Sequence, residues 1–307
     1  MKKIFNRLPL YILAGLSLES CVKLDQEPFN DLSEQNSFLS VEDAQYWING
    51  MYDGLRENTY GNAMYSTDVQ ADFLNAVRRN NEVLPELHRW TNFTSSNGTT
   101  AAIWMAYYKA IQDINVALKG IPNVPISKER ERVERAQIQR NLGELYLGRA
   151  YYYTYLVTHF CGAYDASSTY GLPILREFKV SNFPAPSTLK ETYEFILEDI
   201  ARAQQLLDTT TGTEGATTFT VDAAKALKAR VLLYKGEWAV AYATAKSLID
   251  AGTYPLATSE SSLDAIWKED DDKESIVQLF AKAPTSYTLG MSDELPKSND
   301  IYIGANN

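Results

Sequence analysis

The stretch LGELYLGRAYYYTYLVTHF, residues 142–160, decides the fold of this chain. Its large side chains recur every three or four residues, which places them on one face of an α-helix. Charged residues alternate in the stretch before it, from Lys128 onward, as they do on a solvent-exposed helix. The pattern therefore predicts one long helix over about 128–160. Its apolar face consists of Leu142, Leu145, Tyr146, Arg149, Tyr152, Tyr153, Leu156 and Phe160.

Shorter stripes on either side of this stretch predict further helices. They are bounded by ordinary helix signals, since Ser40 precedes two acidic residues and Gly120 and Gly252 follow the last apolar residues of their stretches. Ser187 is the predicted start of the fourth helix. The predicted helices begin at Ser40 and then cover about 100–119, 128–160, 187–207, 221–235 and 237–250.

The last two predicted helices have the small-residue spacing of a tetratricopeptide helix-turn-helix. Small side chains let paired helices approach closely, and a glycine supplies the turn. Because the earlier helices also fall into pairs, the sequence predicts an all-α-dominated fold of tetratricopeptide-like pairs with long irregular loops. The residues with this spacing are Ala229, Gly236, Trp238, Ala241 and Ala245.

The N-terminus has the order of an export signal. Basic residues come first, then an apolar run over 8–18 that is too short to span a bilayer, and then Cys21. A cysteine at this point resembles a bacterial lipoprotein box, in which the thiol is acylated and becomes the first residue of the mature protein. An ordinary secretory signal with an incidental cysteine is the alternative. We predict a signal peptide over 1–20, a tether over 21–39 and a helical domain over 40–307.

Composition excludes some classes of function. The net charge of −10 and the pI near 4.9 argue against a nucleic-acid partner, whose phosphates require a surplus of lysine and arginine. Cys161 is the only other cysteine, so a lipidated Cys21 leaves no disulfide. Stability must then come from packing, for which 307 residues that are 45% hydrophobic are sufficient.

The sequence contains no constellation of catalytic residues. Glycine-rich phosphate loops, HExxH pairs and GxSxG elbows are all missing from it. His159 falls at a helix end beside aromatic residues, which indicates a core or capping role. The acidic run over 269–272 lacks the ligand spacing of a calcium loop and is interpreted as solvated. We therefore predict no catalytic residue, no cofactor and no metal site.

Arg149 lies on the apolar face of the long predicted helix, where a charge must be paired. It could contact a ligand, or it could form an internal ion pair that fixes neighbouring helices. The internal pair is the preferred interpretation because the neighbouring residues on that face are apolar.

The segment between the first two long helices is the predicted binding region. Its periodicity is weak, and it mixes aromatic rings with amide, carboxylate and guanidinium groups. A neutral sugar requires this combination, because its CH face stacks on a ring while its hydroxyls both donate and accept hydrogen bonds. For Trp90 the competing interpretation is a loop anchor that plugs the domain. The candidate residues are Tyr60, Tyr65, Asp72, Arg78, Trp90 and Asn92, with Trp267 as a second location.

Several motifs resemble the SusD/RagB group of Bacteroidetes surface glycan-binding lipoproteins. The matching stretches are INGMYDGL (48–55), WxxYxxxIxxIN (104–115), GExxLxRAxYYxYLV (143–157), TYxxIxxDIxxA (192–203) and AAxALxARVxLYxGxW (223–238). One departure is a turn of the family that is stretched here between Phe160 and Ile174. Another is the loop-rich second half of family members, which this sequence lacks, so that we expect a SusD-like helical domain that is incomplete at its C-terminus.

The resemblance implies a lipoprotein on the outer face of the outer membrane. It would bind an oligosaccharide and hand it to a TonB-dependent, SusC-like transporter without any chemistry. Capture of oligopeptides, as in RagB-type members, is an alternative within the family. A tetratricopeptide-like scaffold that binds only proteins is an alternative from a different class.

Overall fold

The computed structural model describes residues 37–59, 62–76, 84–91, 94, 97–179, 184–268, 272–279 and 301–303. Their compact unit begins at Phe38 and is dominated by helices. None of the helices in these ranges combines the length and the apolar character that crossing a bilayer requires. The helices are α1 (Val41–Thr59), α2 (Asn62–Gln70), α3 (Pro85–His88), α4 (Gly98–Gly120), α5 (Glu131–Phe160), α6 (Leu189–Leu206), α7 (Val221–Tyr234), α8 (Trp238–Ala251) and α9 (Glu260–Lys268). The short strands are β1 (Leu74–Ala76) and β2 (Ile301–Ile303), which pair antiparallel.

The predicted all-α-dominated fold of helix pairs is confirmed. Helix α5 lies at its centre and packs against α1, α4, α6 and α7. Most of its face predicted to be apolar is buried, and Tyr152, Tyr153 and Leu156 are almost completely enclosed. Gly148 lies at the contact with α1, where a Cβ atom would come within 2.6 Å of Met51 Sδ, so the Met51 side chain would have to shift. The predicted helix began at Lys128, whereas in the structure residues 128–130 form a 3₁₀ turn before α5.

The pairing of α7 with α8 also agrees with the sequence. Gly236 has a φ of 81°, a left-handed conformation that glycine adopts without steric cost, and it joins the two helices. Ala241 and Leu248 of α8 are buried against the rest of the unit. An adjacent face of α8 exposes Trp238, Tyr242 and Ile249 to solvent.

The structure corrects the start of the fourth helix. Helix α6 is capped by Thr188 and not by Ser187. The Thr188 hydroxyl accepts from the Glu191 N–H at 3.1 Å, and the Glu191 carboxylate accepts from the Thr188 N–H at 2.8 Å. This reciprocal capping box requires an acidic side chain three residues after the cap, and Ser187 has Lys190 at that position.

Replacing Thr188 with alanine is expected to lower the free energy of unfolding by about 1 kcal/mol, because it removes one side of this capping box. Ser187→Ala is the matched control, since only the backbone of Ser187 forms hydrogen bonds with Gly171 and Leu172. Chemical denaturation of both variants checks the assignment. An equal loss of stability in the two variants would contradict it.

The segment 171–176 links α4, α5 and α6 through its backbone. The Pro173 carbonyl accepts from the Tyr108 and Tyr153 hydroxyls at 2.9 and 3.3 Å. The Tyr153 hydroxyl in turn accepts from the Leu175 N–H at 2.8 Å. The Leu172 N–H donates to Thr192 Oγ1 at 3.0 Å. Main-chain groups therefore hold this extended segment between the helices.

The predicted irregular loop between the first two long helices contains more structure than expected. It forms α2, β1 and α3, which pack around a small core of their own; we call residues 62–76 and 84–91 the small lobe. One residue that the sequence analysis predicted as a binding candidate, Tyr65, is part of this core. Its buried members are Tyr65, Val69, Leu74, Leu84 and Leu87.

Candidate functional site

Arg149 is enclosed between helices and is only 4% exposed. Its Nε and Nη2 atoms each donate to the Asp199 carboxylate at 2.7 Å, in a two-pronged ion pair. Nη1 donates to Asn115 Oδ1 at 2.6 Å, and the guanidinium lies 5.0 Å from the centre of the Phe195 ring. The prediction of an internal ion pair is confirmed. The network joins α4, α5 and α6 and leaves Arg149 no free donor face for a ligand.

The partner carboxylate is under two opposing influences. Burial raises the pKa of Asp199, whereas the hydrogen bonds and the charge of Arg149 lower it. A buried carboxylate of this kind stays ionised only while its cation is in place. Arg149 and Asp199 therefore each depend on the other for the stability of their charge in the buried core.

The strained backbone of the described residues is concentrated in the small lobe. Among those residues, Asp72, Leu84 and Trp90 are the non-glycine residues with positive φ, at 61°, 56° and 53°. Side chains other than glycine rarely adopt this left-handed conformation, and it tends to cluster at ligand sites. Leu84 is buried in the lobe core, whereas Asp72 and Trp90 are at the surface.

Trp90 presents its ring to solvent and is 65% exposed. Its orientation is fixed, because Nε1 donates to the Gln70 carbonyl at the end of α2, at 3.1 Å. Its backbone N–H donates to the Leu87 carbonyl at 3.3 Å. The Trp90 ring is therefore not enclosed in the core, although its Nε1 ties the loop to the end of α2.

Two side chains in the small lobe accompany this ring. The Asp72 carboxylate is largely exposed, and its Oδ1 lies 4.0 Å from His88 Nδ1. Phe73, which the sequence analysis did not select, is exposed as well. Its position directly after the candidate Asp72 is the sequence signal that could have identified Phe73. Together these groups offer aromatic surface and a hydrogen-bond acceptor at one end of α2.

The other sequence-predicted residues fall in four groups. Tyr65 is buried at 5% exposure in the core of the small lobe, so its ring is not available for stacking. Trp267 lies in α9, far along the chain from the small lobe. His159 has the predicted capping role, with Nδ1 2.8 Å from the Tyr155 carbonyl in the last turn of α5. Outside the described residues lie Cys21, Tyr60, Arg78, Asn92 and the acidic run up to residue 271.

The matching family model, described as "Starch-binding associating with outer membrane", covers residues 24–233. A curated relative, "SusD-like protein P38" of Formosa agariphila, is 25% identical over 280 residues, which are 88% of this chain and 51% of the relative. A solved SusD superfamily protein from Bacteroides thetaiotaomicron has a TM-score of 0.69 at 23% identity over 79% of this chain and 53% of its own. A SusD-like carbohydrate-binding protein from Bacteroides vulgatus has a TM-score of 0.62 at 19% identity over 78% of this chain and 50% of its own.

The chain thus spans about half the length of the relatives that it matches. The structural likeness at these identities concerns the fold. The family model, however, matches more than half of the chain and includes every long helix from α1 to α7. The helices, their pairing in the fold and the sequence motifs all agree with this match. The chain belongs to the SusD-like family.

Proposed function

We propose that this protein captures oligosaccharides at the cell surface and delivers them to a TonB-dependent, SusC-like transporter. In this role it is anchored in the outer membrane through lipid on Cys21. Family membership supports the proposal, since the model that matches describes starch binding at the outer membrane. The function is binding and relay, with no bond made or broken.

The observation that carries the proposal is the exposed and oriented ring of Trp90. A pyranose stacks its CH face on such a ring, and the nearby Asp72 carboxylate can accept a hydrogen bond from a sugar hydroxyl. Stacking on one ring contributes roughly 1 kcal/mol, so a useful affinity needs several contacts. We therefore propose a modest-affinity platform in which the small lobe provides one part, with Tyr60, Arg78, Asn92 and Trp267 as further candidate contacts.

Trp90→Ala is expected to weaken retention in an affinity gel that contains the cognate polysaccharide, by a factor of about five. The reason is the loss of the stacking surface. Because the side chain is largely exposed, the circular-dichroism melt of the variant should stay close to that of the parent protein. Retention and melting are measured on the same preparations.

The controls separate stacking from exposed aromatic surface in general. Trp90→Phe keeps a ring and should retain much of the binding. Tyr170→Ala removes an exposed ring outside the small lobe and should change nothing. Unchanged retention in Trp90→Ala would contradict the platform. Loss of binding to an oligopeptide and not to a glycan would instead support the peptide-capturing function.

A protein-binding scaffold is the second candidate, and helix α8 is the observation that favours it. One face of α8 exposes Trp238, Tyr242 and Ile249, and adjoining exposed apolar side chains are typical of protein interaction surfaces. Under this alternative, Trp238→Ser abolishes capture of a protein partner while Trp90→Ala has no effect on any ligand.

A further inference from the structure

A separate cavity of about 400 Å³ lies between α1, α5, α7 and the extended segment 274–279. It has the size of ordinary small-molecule sites. It contains no residue of the small lobe, so it is distinct from the proposed glycan platform. The lining residues are Leu55, Thr59, Leu147, Tyr151, Phe219, Ala223, Ala226, Leu227, Arg230, Glu274, Ile276, Val277 and Leu279.

The walls of this cavity are mostly apolar, with four polar side chains. Two of these are hydroxyls that face each other, since Thr59 Oγ1 and Tyr151 Oη are 3.3 Å apart. The Glu274 carboxylate accepts a hydrogen bond from the Ala257 N–H. Three of the four polar side chains are therefore already hydrogen-bonded within the protein.

Arg230 is the fourth polar side chain, and it differs from the others. Within the described ranges its guanidinium has no hydrogen bond and no ion pair. It is exposed to solvent, so it marks the mouth of the cavity. The lining also contains an anion, Glu274, but its carboxylate accepts from the Ala257 N–H, so Arg230 is the charged group of the lining without a partner in the described part of the chain. An apolar cavity with such a cation at its mouth is complementary to an apolar group that ends in an anion.

We propose that this cavity binds a short apolar chain that ends in a carboxylate. The chain lies against Leu227, Ile276 and Leu279, and the carboxylate forms a two-pronged pair with Arg230. Two kinds of molecule have this chemistry, a free acyl carboxylate and the C-terminus of an apolar peptide. The planar guanidinium fork suits either source.

Two probes distinguish these sources by isothermal titration calorimetry on the full chain. Octanoate represents the acyl carboxylate, and N-acetyl-leucyl-leucine represents the peptide terminus. Octanol and the corresponding dipeptide amide are the uncharged counterparts. At least one anionic probe is expected to bind about tenfold more tightly than its uncharged counterpart, because only the anion pairs with Arg230.

Two variants test whether the binding occurs in this cavity. Arg230→Gln should remove the tenfold preference for the anion while leaving the uncharged probe unaffected. Ala226→Phe places a ring in the cavity and should abolish binding of both forms. Ala243→Phe, on the exposed surface of α8, is the matched control and should bind as the parent does. Melting curves show that each variant is folded.

Each result decides the proposal. Binding of octanoate alone assigns an acyl ligand, and binding of the dipeptide alone assigns a peptide terminus. Failure of both anions to bind, or binding that survives Ala226→Phe in a folded protein, would overturn it. Neither result affects the glycan platform, because Trp90 is not part of the cavity.

Discussion

Arg149→Ala is expected to lower the free energy of unfolding by about 3 kcal/mol, which is a large part of the stability of a typical domain. The loss arises from the Asp199 carboxylate, which remains in the core after Arg149 is replaced. Asp199 is 1% exposed, and without the guanidinium its carboxyl group must either stay charged and unpaired in the core or take up a proton, and both cost stability. Asn115 Oδ1 also loses its donor. Urea denaturation followed by circular dichroism measures the effect.

Two further variants identify the cause of this loss. Arg149→Lys keeps the charge but cannot form the two-pronged pair, so it should recover only part of the stability. Replacing both partners, in Arg149→Met with Asp199→Leu, removes the stranded charge and should be less destabilising than Arg149→Ala. If Arg149→Ala kept its stability and lost a ligand instead, Arg149 would be a binding residue and the structural assignment would be wrong.

Cys21→Ala is expected to shift nearly all of the protein from the membrane fraction to the soluble fraction. The acylated thiol is the anchor that the sequence predicts, and each buried CH₂ of an acyl chain contributes about 0.8 kcal/mol to membrane binding. Several acyl chains on one residue give stable attachment. Without them, their contribution to the free energy of membrane binding is lost. Cell fractionation and immunoblotting measure the distribution.

Cys161→Ala is the matched control for this experiment. Cys161 is a partly buried free thiol of the helical unit, so its loss should leave the protein in the membrane fraction. Retention of Cys21→Ala in the outer membrane would mean that another part of the protein holds it there. The lipoprotein assignment would then be replaced by a different mode of attachment.

The helices could be predicted because their apolar faces are long and regular. The apolar stripe in α5 repeats over many turns, and such a pattern indicates both an α-helix and the face of it that is buried. The paired state of Arg149 followed from the same pattern, because a charge within a buried stripe needs a partner. The identity of that partner did not follow, since Asp199 lies fifty residues away in the chain.

The small lobe was harder to predict for a physical reason. Its helices are short, and α3 has only four residues, so no periodic stripe identifies them. Tyr65 therefore looked like an available ring, although it packs in the core of the lobe. The left-handed conformations of Asp72 and Trp90 leave no mark in the sequence, because they are imposed by the surrounding contacts.

Side chains of the helices hold the segment 171–176 by hydrogen bonds to its main chain, and this has a consequence for sequence change over evolution. Hydrogen bonds to main-chain atoms are indifferent to most side-chain replacements, so the half-buried Ile174 can diverge while the helices stay linked, whereas Leu172 and Leu175 are constrained by their burial in the core. The connection that precedes the segment can also change in length at little cost, since loop-closure entropy grows only with the logarithm of length. A lengthened turn after Phe160, as the sequence comparison with the family predicts, is thus compatible with an unchanged arrangement of the helices.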